Sequence, residues 1–313
     1  MKVSIIGAGN VGGLTALRLT QEGLCDIALI DVAKGLAYGK AYDLEDCRNI
    51  VKYNYNIQGS EEISQIKASD IVVITAGLPR KPGMTREDLV SKNAEILKRL
   101  CVSVKKFTPG AILIIVTNPL DIMTYLALKI TGFKPNRVLG MGVTLDSARF
   151  ANLIGKELNI PDTDIDACVI GSHGEGMLPL PRLTRVRGVS LEELLNEPKI
   201  RDLVSKATGR GAEIVSLLGS GSAYFAPSAA IAQLVRAIAK DEKRILGVSA
   251  YLNGEYRTQD VCIGVPCRLG KNGIEQIIEL DLNKSEKEAF LKSAESIREN
   301  LELIKPFIQK VKA

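Results

Sequence analysis

A glycine-rich hexapeptide, Gly7-Ala8-Gly9-Asn10-Val11-Gly12, stands between a short apolar run, Val3 to Ile6, and a segment of helical spacing from Val11 to Glu22 that carries Leu14, Leu17 and Arg18. G-x-G-x-x-G at a strand-to-helix junction leaves little freedom of fold. The first glycine permits the turn, the second lets the backbone approach a pyrophosphate, and the third lets helix and strand pack closely, while the helix N-terminus contributes free N–H groups. A second apolar run, Ile27 to Ile30, follows and ends at Asp31. An acid about 20 residues beyond the glycines is placed to accept from both hydroxyls of an adenosine ribose. The pattern predicts a βαβ unit with Gly7, Ala8, Gly9, Asn10, Val11, Gly12 and Asp31 as dinucleotide-binding residues. A carboxylate there repels a 2'-phosphate, so NAD is expected over NADP; the plain alternative is that Asp31 simply ends a strand.

Further apolar runs of buried-strand character occur at Ile71 to Ile74 and Ala111 to Val116, with a long helical pattern from Arg86 to Phe107 between them. Continuous β-branched runs alternating with helices imply a parallel sheet covered on both faces. Thr85-Arg86-Glu87-Asp88 has capping-box spacing and predicts a helix start. After Gly142 the rhythm changes. Helices are expected at Leu145 to Leu158, Ile200 to Leu218, Ala229 to Lys240 and Asn283 to Ile304, and strands at Asp166 to Ile170, Leu183 to Val186, Ile245 to Leu252, Val261 to Val265 and Ile274 to Leu280. The expected fold class is α/β: an N-terminal Rossmann doubly wound parallel sheet, residues 1–143, followed by a mixed α+β domain, residues 144–313. No repeat or linker separates the two, so they should pack tightly around a shared site.

Composition narrows the partners. The net charge of +5 is dispersed, with like charges no denser than pairs such as Lys105-Lys106, and the chain lacks tryptophan. Nucleic acid is therefore not an expected partner, and small anions fit the charge better. No apolar stretch approaches the roughly 20 residues of a membrane span. Six cysteines form no C-x-x-C, and with a single histidine no zinc-ligand spacing is present, so no metal is expected. The cysteines suggest a reducing compartment, and Met1-Lys2 runs directly into the first strand with no room for a secretory leader; the cytoplasm is the expected location.

The one histidine, His173, lies in Gly171-Ser172-His173-Gly174-Glu175-Gly176 after the apolar run Ala167 to Ile170. It is either a hydrogen-bonded loop residue or the only imidazole able to do acid/base chemistry near neutral pH. Asp146 and Arg149 stand three apart on one helix edge. They form either an ordinary ion pair or, respectively, the partner that fixes the His173 tautomer and a clamp for a carboxylate. Between a strand and a helix, Ala76 to Arg86 carries Arg80, Lys81 and Arg86, read either as a solvated loop or as a lid whose guanidiniums meet a carboxylate.

Taken as a set, GAGNVG with Asp31, TAGLPRKPGMTR, Asn93, VTNP at Val116 to Pro119, VTLDSAR, GSHGEG and GSAYFAPSAA at Gly221 to Ala230 resemble the lactate/malate dehydrogenase family over essentially the whole chain, and specifically its lactate-dehydrogenase-like malate dehydrogenases. The resemblance implies NAD-dependent, reversible oxidation of (S)-malate to oxaloacetate. It makes His173 and Asp146 the proton-transfer pair, Arg86 the group that polarises the reacting carbonyl, Arg149 the clamp on the shared carboxylate and Asn118 a substrate-orienting residue. Asn93, Val116, Thr117 and Asn118 would line the cofactor. Arg80 occupies the position where malate enzymes have arginine and lactate enzymes typically glutamine, so a dicarboxylate substrate is implied. The family further implies a homodimer or homotetramer. Rival readings are a dehydrogenase of lactate or another 2-hydroxy acid, a non-catalytic NAD sensor, and an NAD-dependent glycoside hydrolase, which would need a cysteine and metal where Thr117-Asn118-Pro119 stands.

Overall fold

The computed structural model describes residues 1–79 and 85–309, and of Arg86 only the backbone. The N-terminal half is built from strands β1 (Lys2–Ile6), β2 (Asp26–Ile30), β3 (Ile57–Ser60), β4 (Ile71–Ile74), β5 (Ile112–Ile115) and β6 (Val138–Gly140), with helices α1 (Asn10–Gln21), α2 (Leu36–Asp46), α3 (Arg48–Val51), α4 (Arg86–Phe107) and α5 (Leu120–Thr131) between them. The strands run parallel in the order β3-β2-β1-β4-β5-β6. Their register aligns Ile6 with both Ile30 and Ile74, and Ile74 with Ile115. The segments that begin at Gly7, Asp31, Thr75 and Val116 therefore leave the sheet at one edge. Strand order reverses between β1 and β4, and the crevice beyond the carboxyl ends of the strands at such a switch is where open α/β sheets bind ligands.

Sequence pattern and burial agree here for a simple reason. All four residues of β4 and of β5 are buried, as a strand covered on both faces requires. Helix α4 buries Val90, Ala94, Leu97, Cys101 and Val104, one stripe at helical period. The Thr85–Asp88 capping box forms in both directions: Thr85 Oγ1 accepts from the Asp88 amide, and the Asp88 carboxylate accepts from the Thr85 amide.

The C-terminal half comprises α6 (Val143–Leu158), β7 (Ile165–Asp166), β8 (Val169–Gly171), β9 (Met177–Pro179), β10 (Arg185–Val186), β11 (Val189–Ser190), α7 (Leu191–Leu194), α8 (Glu197–Leu218), α9 (Phe225–Ala239), β12 (Arg244–Asn253), β13 (Gln259–Gly270), β14 (Gly273–Ile277), α10 (Lys284–Leu301) and α11 (Lys305–Gln309). Its main strands do not form a separate layer. β12 joins β6 antiparallel through Ser249 and Gly140, and β13, β8 and β9 continue outward, giving one sheet of eleven strands with β14 beside β13. At the seam, a side chain on Gly140 would collide with Thr124 and press on the Ser249 Cβ.

Three expectations need correction. Asp166 to Ile170 is not one strand: Asp166 ends β7 in the small β11-β10-β7 sheet, and Ile170 belongs to β8 in the large one. Of Leu183 to Val186, only Arg185 and Val186 are extended. Pro181 to Leu183 is a 3₁₀ turn, which the fixed φ of Pro181 favours. The strand expected at Ile274 to Leu280 ends at Ile277.

Candidate active site

Each glycine of the first loop has its own reason to be glycine. Gly7 has φ +108°, and a Cβ there would lie 2.6 Å from Thr75 Oγ1 and 2.7 Å from the Ala76 nitrogen. A Cβ on Gly12 would run into the Gly7 carbonyl, so close packing of α1 on β1 excludes it. A Cβ on Gly9 would meet nothing within 4 Å. Structure therefore requires the first and third glycines, whereas the second fronts open space at the N-terminus of α1, which has no side-chain cap. That opening, with the unbonded N–H groups of the first helical turn contributed by Asn10, Val11 and Gly12, suits a pyrophosphate. Asp31 stands beside it. Its Oδ2 accepts from the Ala8 amide at 2.6 Å and its Oδ1 from the Ala33 amide at 2.9 Å.

The next two sheet-end segments are tied together by Asn93, a polar side chain only 1% exposed on α4. Its Oδ1 accepts from the Leu78 amide at 2.8 Å, and its Nδ2 donates to the carbonyls of Leu78 at 3.1 Å and Asn118 at 2.7 Å. One amide thus fixes the loop after β4 against the segment after β5. Thr117 is buried and donates to the Ala76 carbonyl at 2.7 Å, reinforcing the same junction. Val116 packs partly buried against the core, and Asn118 leaves its side chain exposed. Arg80 lies outside the described residues, as does the side chain of Arg86, whose backbone opens α4.

On the other side, His173, Asp146 and Arg149 come together. His173 follows β8, and its Nδ1 is 2.8 Å from Asp146 Oδ2. Asp146 is fully buried in the first turn of α6, and its other oxygen lies 3.3 Å from Arg149 Nη1. A carboxylate on Nδ1 holds the proton on that nitrogen and leaves Nε2 for exchange with a substrate. His173 retains 17% of its side-chain exposure. Burial works against its protonated form, but the charge and hydrogen bond of Asp146, assisted by Asp121 and opposed by Arg149, outweigh that and raise its pKa above the usual 6.5. Burial lowers the Arg149 pKa against the pull of Asp146, although a guanidinium stays charged throughout the working range.

Three contacts that the sequence did not disclose fix the histidine loop. Asp121 Oδ2 accepts the His173 backbone N–H at 2.8 Å. Ser293 of α10 accepts from the Ser172 amide at 2.9 Å and donates to the Gly176 carbonyl at 2.8 Å. Gly142 packs against the loop so closely that an added methyl would touch the His173 Cβ at 3.4 Å and collide with Leu120. The only local sign of Asp121 was an acid in the first turn of an otherwise apolar helix, and nothing local marked Ser293.

Among the described residues, no group of three or more histidine, cysteine or acidic side chains is placed to hold a metal, and no helix is long and apolar enough to cross a membrane.

Comparison with known proteins assigns both halves of the chain to one family. Residues 1–140 match the lactate/malate dehydrogenase NAD-binding domain, and residues 143–308 match the lactate/malate dehydrogenase alpha/beta C-terminal domain. A malate dehydrogenase of Methanosarcina mazei is 47% identical over 96% of this chain and 98% of its own length. One from Halalkalibacterium halodurans is 48% identical over 95% of each. The apo malate dehydrogenase of Picrophilus torridus superposes with a TM-score of 0.96 at 40% identity, covering 99% of this chain and 98% of that one. A Cryptosporidium parvum lactate dehydrogenase complexed with lactic acid and nicotinamide adenine dinucleotide gives 0.93 at 34% identity, covering 97% of each chain. With both halves matched in order along nearly its full length, the chain belongs to the lactate/malate dehydrogenase family, its N-terminal half being the NAD-binding domain.

Proposed function

We propose that the protein is an NAD-dependent malate dehydrogenase that interconverts (S)-malate and oxaloacetate. The observation that carries the chemistry is the His173–Asp146 pair at 2.8 Å with Arg149 beside it. NAD, when bound, supplies the acceptor for the hydride that leaves the carbon bearing the hydroxyl. In oxidation, Nε2 of neutral His173 takes the hydroxyl proton, and buried Asp146 stabilises the imidazolium that forms. In reduction the imidazolium returns that proton. Arg149 pairs with the carboxylate next to the reacting carbon, a bidentate geometry to which guanidinium is suited. Arg86 polarises the carbonyl, and Asn118, anchored through its carbonyl by Asn93, orients the substrate.

Asn10, Val11 and Gly12 at the α1 N-terminus receive the pyrophosphate over the open face of Gly9, and Asp31 takes the adenosine ribose. Val116 and Thr117 line the nicotinamide side, with Asn93 supporting them through the backbone. We place the division between the cofactor-binding and catalytic parts at 143/144. Arg80 supplies the cation for the second carboxylate of a dicarboxylate, and the malate dehydrogenases among the relatives favour that substrate over lactate.

The six free cysteines support a reducing, cytoplasmic setting, where the reaction would serve the tricarboxylic acid cycle. Tyr42 and Ile50 on α2 and α3, Leu217 on α8 and Phe225 on α9 are all more than 60% exposed, apolar surface that suits burial in a homodimer or homotetramer. Oxidation of NADH followed at 340 nm, with oxaloacetate or pyruvate under identical conditions and no added metal, tests the assignment. Selective turnover of oxaloacetate is expected. Preference for pyruvate would move the protein to the lactate branch, and binding of NADH without turnover of either would leave it a sensor.

A further inference from the structure

Gly13 is a glycine that G-x-G-x-x-G does not explain. It follows Gly12 inside α1 with helical, not left-handed, backbone, where glycine is a poor helix former. Its reason lies on α2. A Cβ on Gly13 would stand 3.1 Å from both Cδ and Nζ of Lys40 and 3.6 Å from its Cε. The half-buried Lys40 side chain therefore crosses the first turn of α1 where a larger residue would obstruct it, and its ammonium donates to the Gly9 carbonyl at 3.0 Å. That carbonyl also accepts from the Gly13 amide at 2.9 Å, the first bond of the helix. An ammonium has three donors, so the bond to Gly9 leaves two. Its position is electrostatically unfavourable in the protein alone. The N-terminus of a helix is its positive end, α1 has no acid in its first turn, and Lys40 pairs with no carboxylate among the described residues. An anion received at this point relieves both charges.

We propose that Lys40 is a further cofactor-binding residue: its ammonium, held by the Gly9 carbonyl, pairs with the diphosphate of the dinucleotide, and Gly13 is glycine so that the side chain can reach that point. The role rests on the placement of the diphosphate over Gly9 made above. Asp31 directly follows β2, and Lys40 lies in α2, the next helix. One connection thus supplies an acceptor for the ribose and a cation for the phosphates, and both side chains are tied to the glycine loop, Asp31 through the Ala8 amide and Lys40 through the Gly9 carbonyl. The backbone amides of α1 and the ammonium approach the same anion from two elements, so the charge of the cofactor draws α2 toward α1.

Fluorescence titration with NADH tests this without turnover. At low salt Lys40→Gln should raise the NADH Kd about tenfold, the loss of one charge-assisted bond. ADP-ribose, competing against NADH, should weaken by the same factor, whereas adenosine, which lacks the diphosphate, should change less than about twofold. Near 1 M NaCl, where the screening length is about 3 Å, wild type and variant should converge to within about threefold. An unchanged NADH Kd, an equal weakening of adenosine and ADP-ribose, or a tenfold gap that survives high salt overturns the proposal. So does a loss confined to NADPH, which would make the ammonium a reader of a 2'-phosphate. Gly13→Ala provides a second test, because its methyl meets the flexible end of Lys40 in a helix that alanine favours. Its Tm should not fall by more than about 2 °C, its NADH Kd should rise about fivefold, and in a Lys40→Ala background it should shift that Kd less than about twofold. Additive effects of the two substitutions on Kd break the link between Gly13 and Lys40. Should Lys40→Gln fail to fold, a wild-type Kd in Gly13→Ala counts against the assignment. Gly9→Ala separates the two readings: a raised NADH Kd there beside a silent Lys40→Gln overturns Lys40 alone, and a wild-type Kd in both removes the diphosphate from this loop altogether.

Discussion

Asp146→Asn tests the acid/base assignment most directly, because it removes one charge and leaves the shape of the site. Asp146 is fully buried and its Oδ2 lies 2.8 Å from His173 Nδ1. With the two charge centres about 4 Å apart and an effective dielectric near 20, the attraction is about 4 kcal/mol. At one decade per 1.4 kcal/mol, this corresponds to a factor of about 10³ in the population of imidazolium above its pKa. The substituted amide can also donate to Nδ1, which favours the tautomer protonated on Nε2, the wrong one for accepting the hydroxyl proton of malate. The raised pKa sets the sign of the pH dependence. Reduction needs the imidazolium, so wild-type kcat/KM for oxaloacetate should hold at acid pH and fall as pH rises through the His173 pKa; oxidation needs the neutral ring and should rise over the same range. In Asp146→Asn both inflections move to lower pH. The reduction deficit should reach about 10³ at pH 8 and narrow as pH falls below the wild-type His173 pKa, closing only about three pH units lower, where the ring is protonated in either protein. The NADH Kd, from fluorescence titration, should be unchanged. A variant within tenfold of wild type at pH 8, with its inflection in place, would refute the pairing as the source of catalysis.

Two further outcomes separate cofactor and substrate functions. Gly9→Ala adds a methyl to open space, so Tm should stay within about 2 °C of wild type while the NADH Kd rises at least about tenfold; Gly12→Ala, which strikes the Gly7 carbonyl, should cost about 1–3 kcal/mol of stability. Equal effects of the two on Tm would remove the distinction between ligand-facing and packing glycines. Arg80→Gln should raise the pyruvate to oxaloacetate ratio of kcat/KM by about 10² or more, because an unpaired second carboxylate in a closed site is strongly disfavoured; an unchanged ratio would show that Arg80 does not read that carboxylate.

The cofactor half was legible because its signals are local. β4 and β5 are covered on both faces and appear as unbroken apolar runs, and the Thr85–Asp88 cap lies within four residues. β3, with the sequence Ile-Gln-Gly-Ser, has no such run and went unnoticed, since its partner β2 defines it. β13 extends from Gln259 to Gly270, well beyond the expected Val261 to Val265, because pairing with β12 carries strand geometry through Pro266. Helices α8 and α9 begin several residues earlier than their apolar periodicity indicates. The Asn196 cap and Pro198 in the first turn of α8, and Pro227 in that of α9, were the available cues. Of the site, His173, Asp146 and Arg149 were visible as types at suggestive positions. Asp121 and Ser293 were not, because they hold the backbone of the loop from 52 and 121 residues away in sequence, through single side chains that leave no periodic trace.

The seam at Gly140 and Ser249 also bears on how this chain could be divided. Helix α5 buries every residue except Lys129, so it is enclosed on all sides, and the catalytic half supplies part of that enclosure. A fragment ending at residue 140 would bare this apolar cylinder and leave β6 as an unpaired strand edge, an invitation to stack with other chains. Although its glycine loop would be intact, such a fragment is a poor source of a minimal NAD-binding module. Grafting the cofactor domain onto another protein would require replacing the face of α5 and protecting the edge of β6 first.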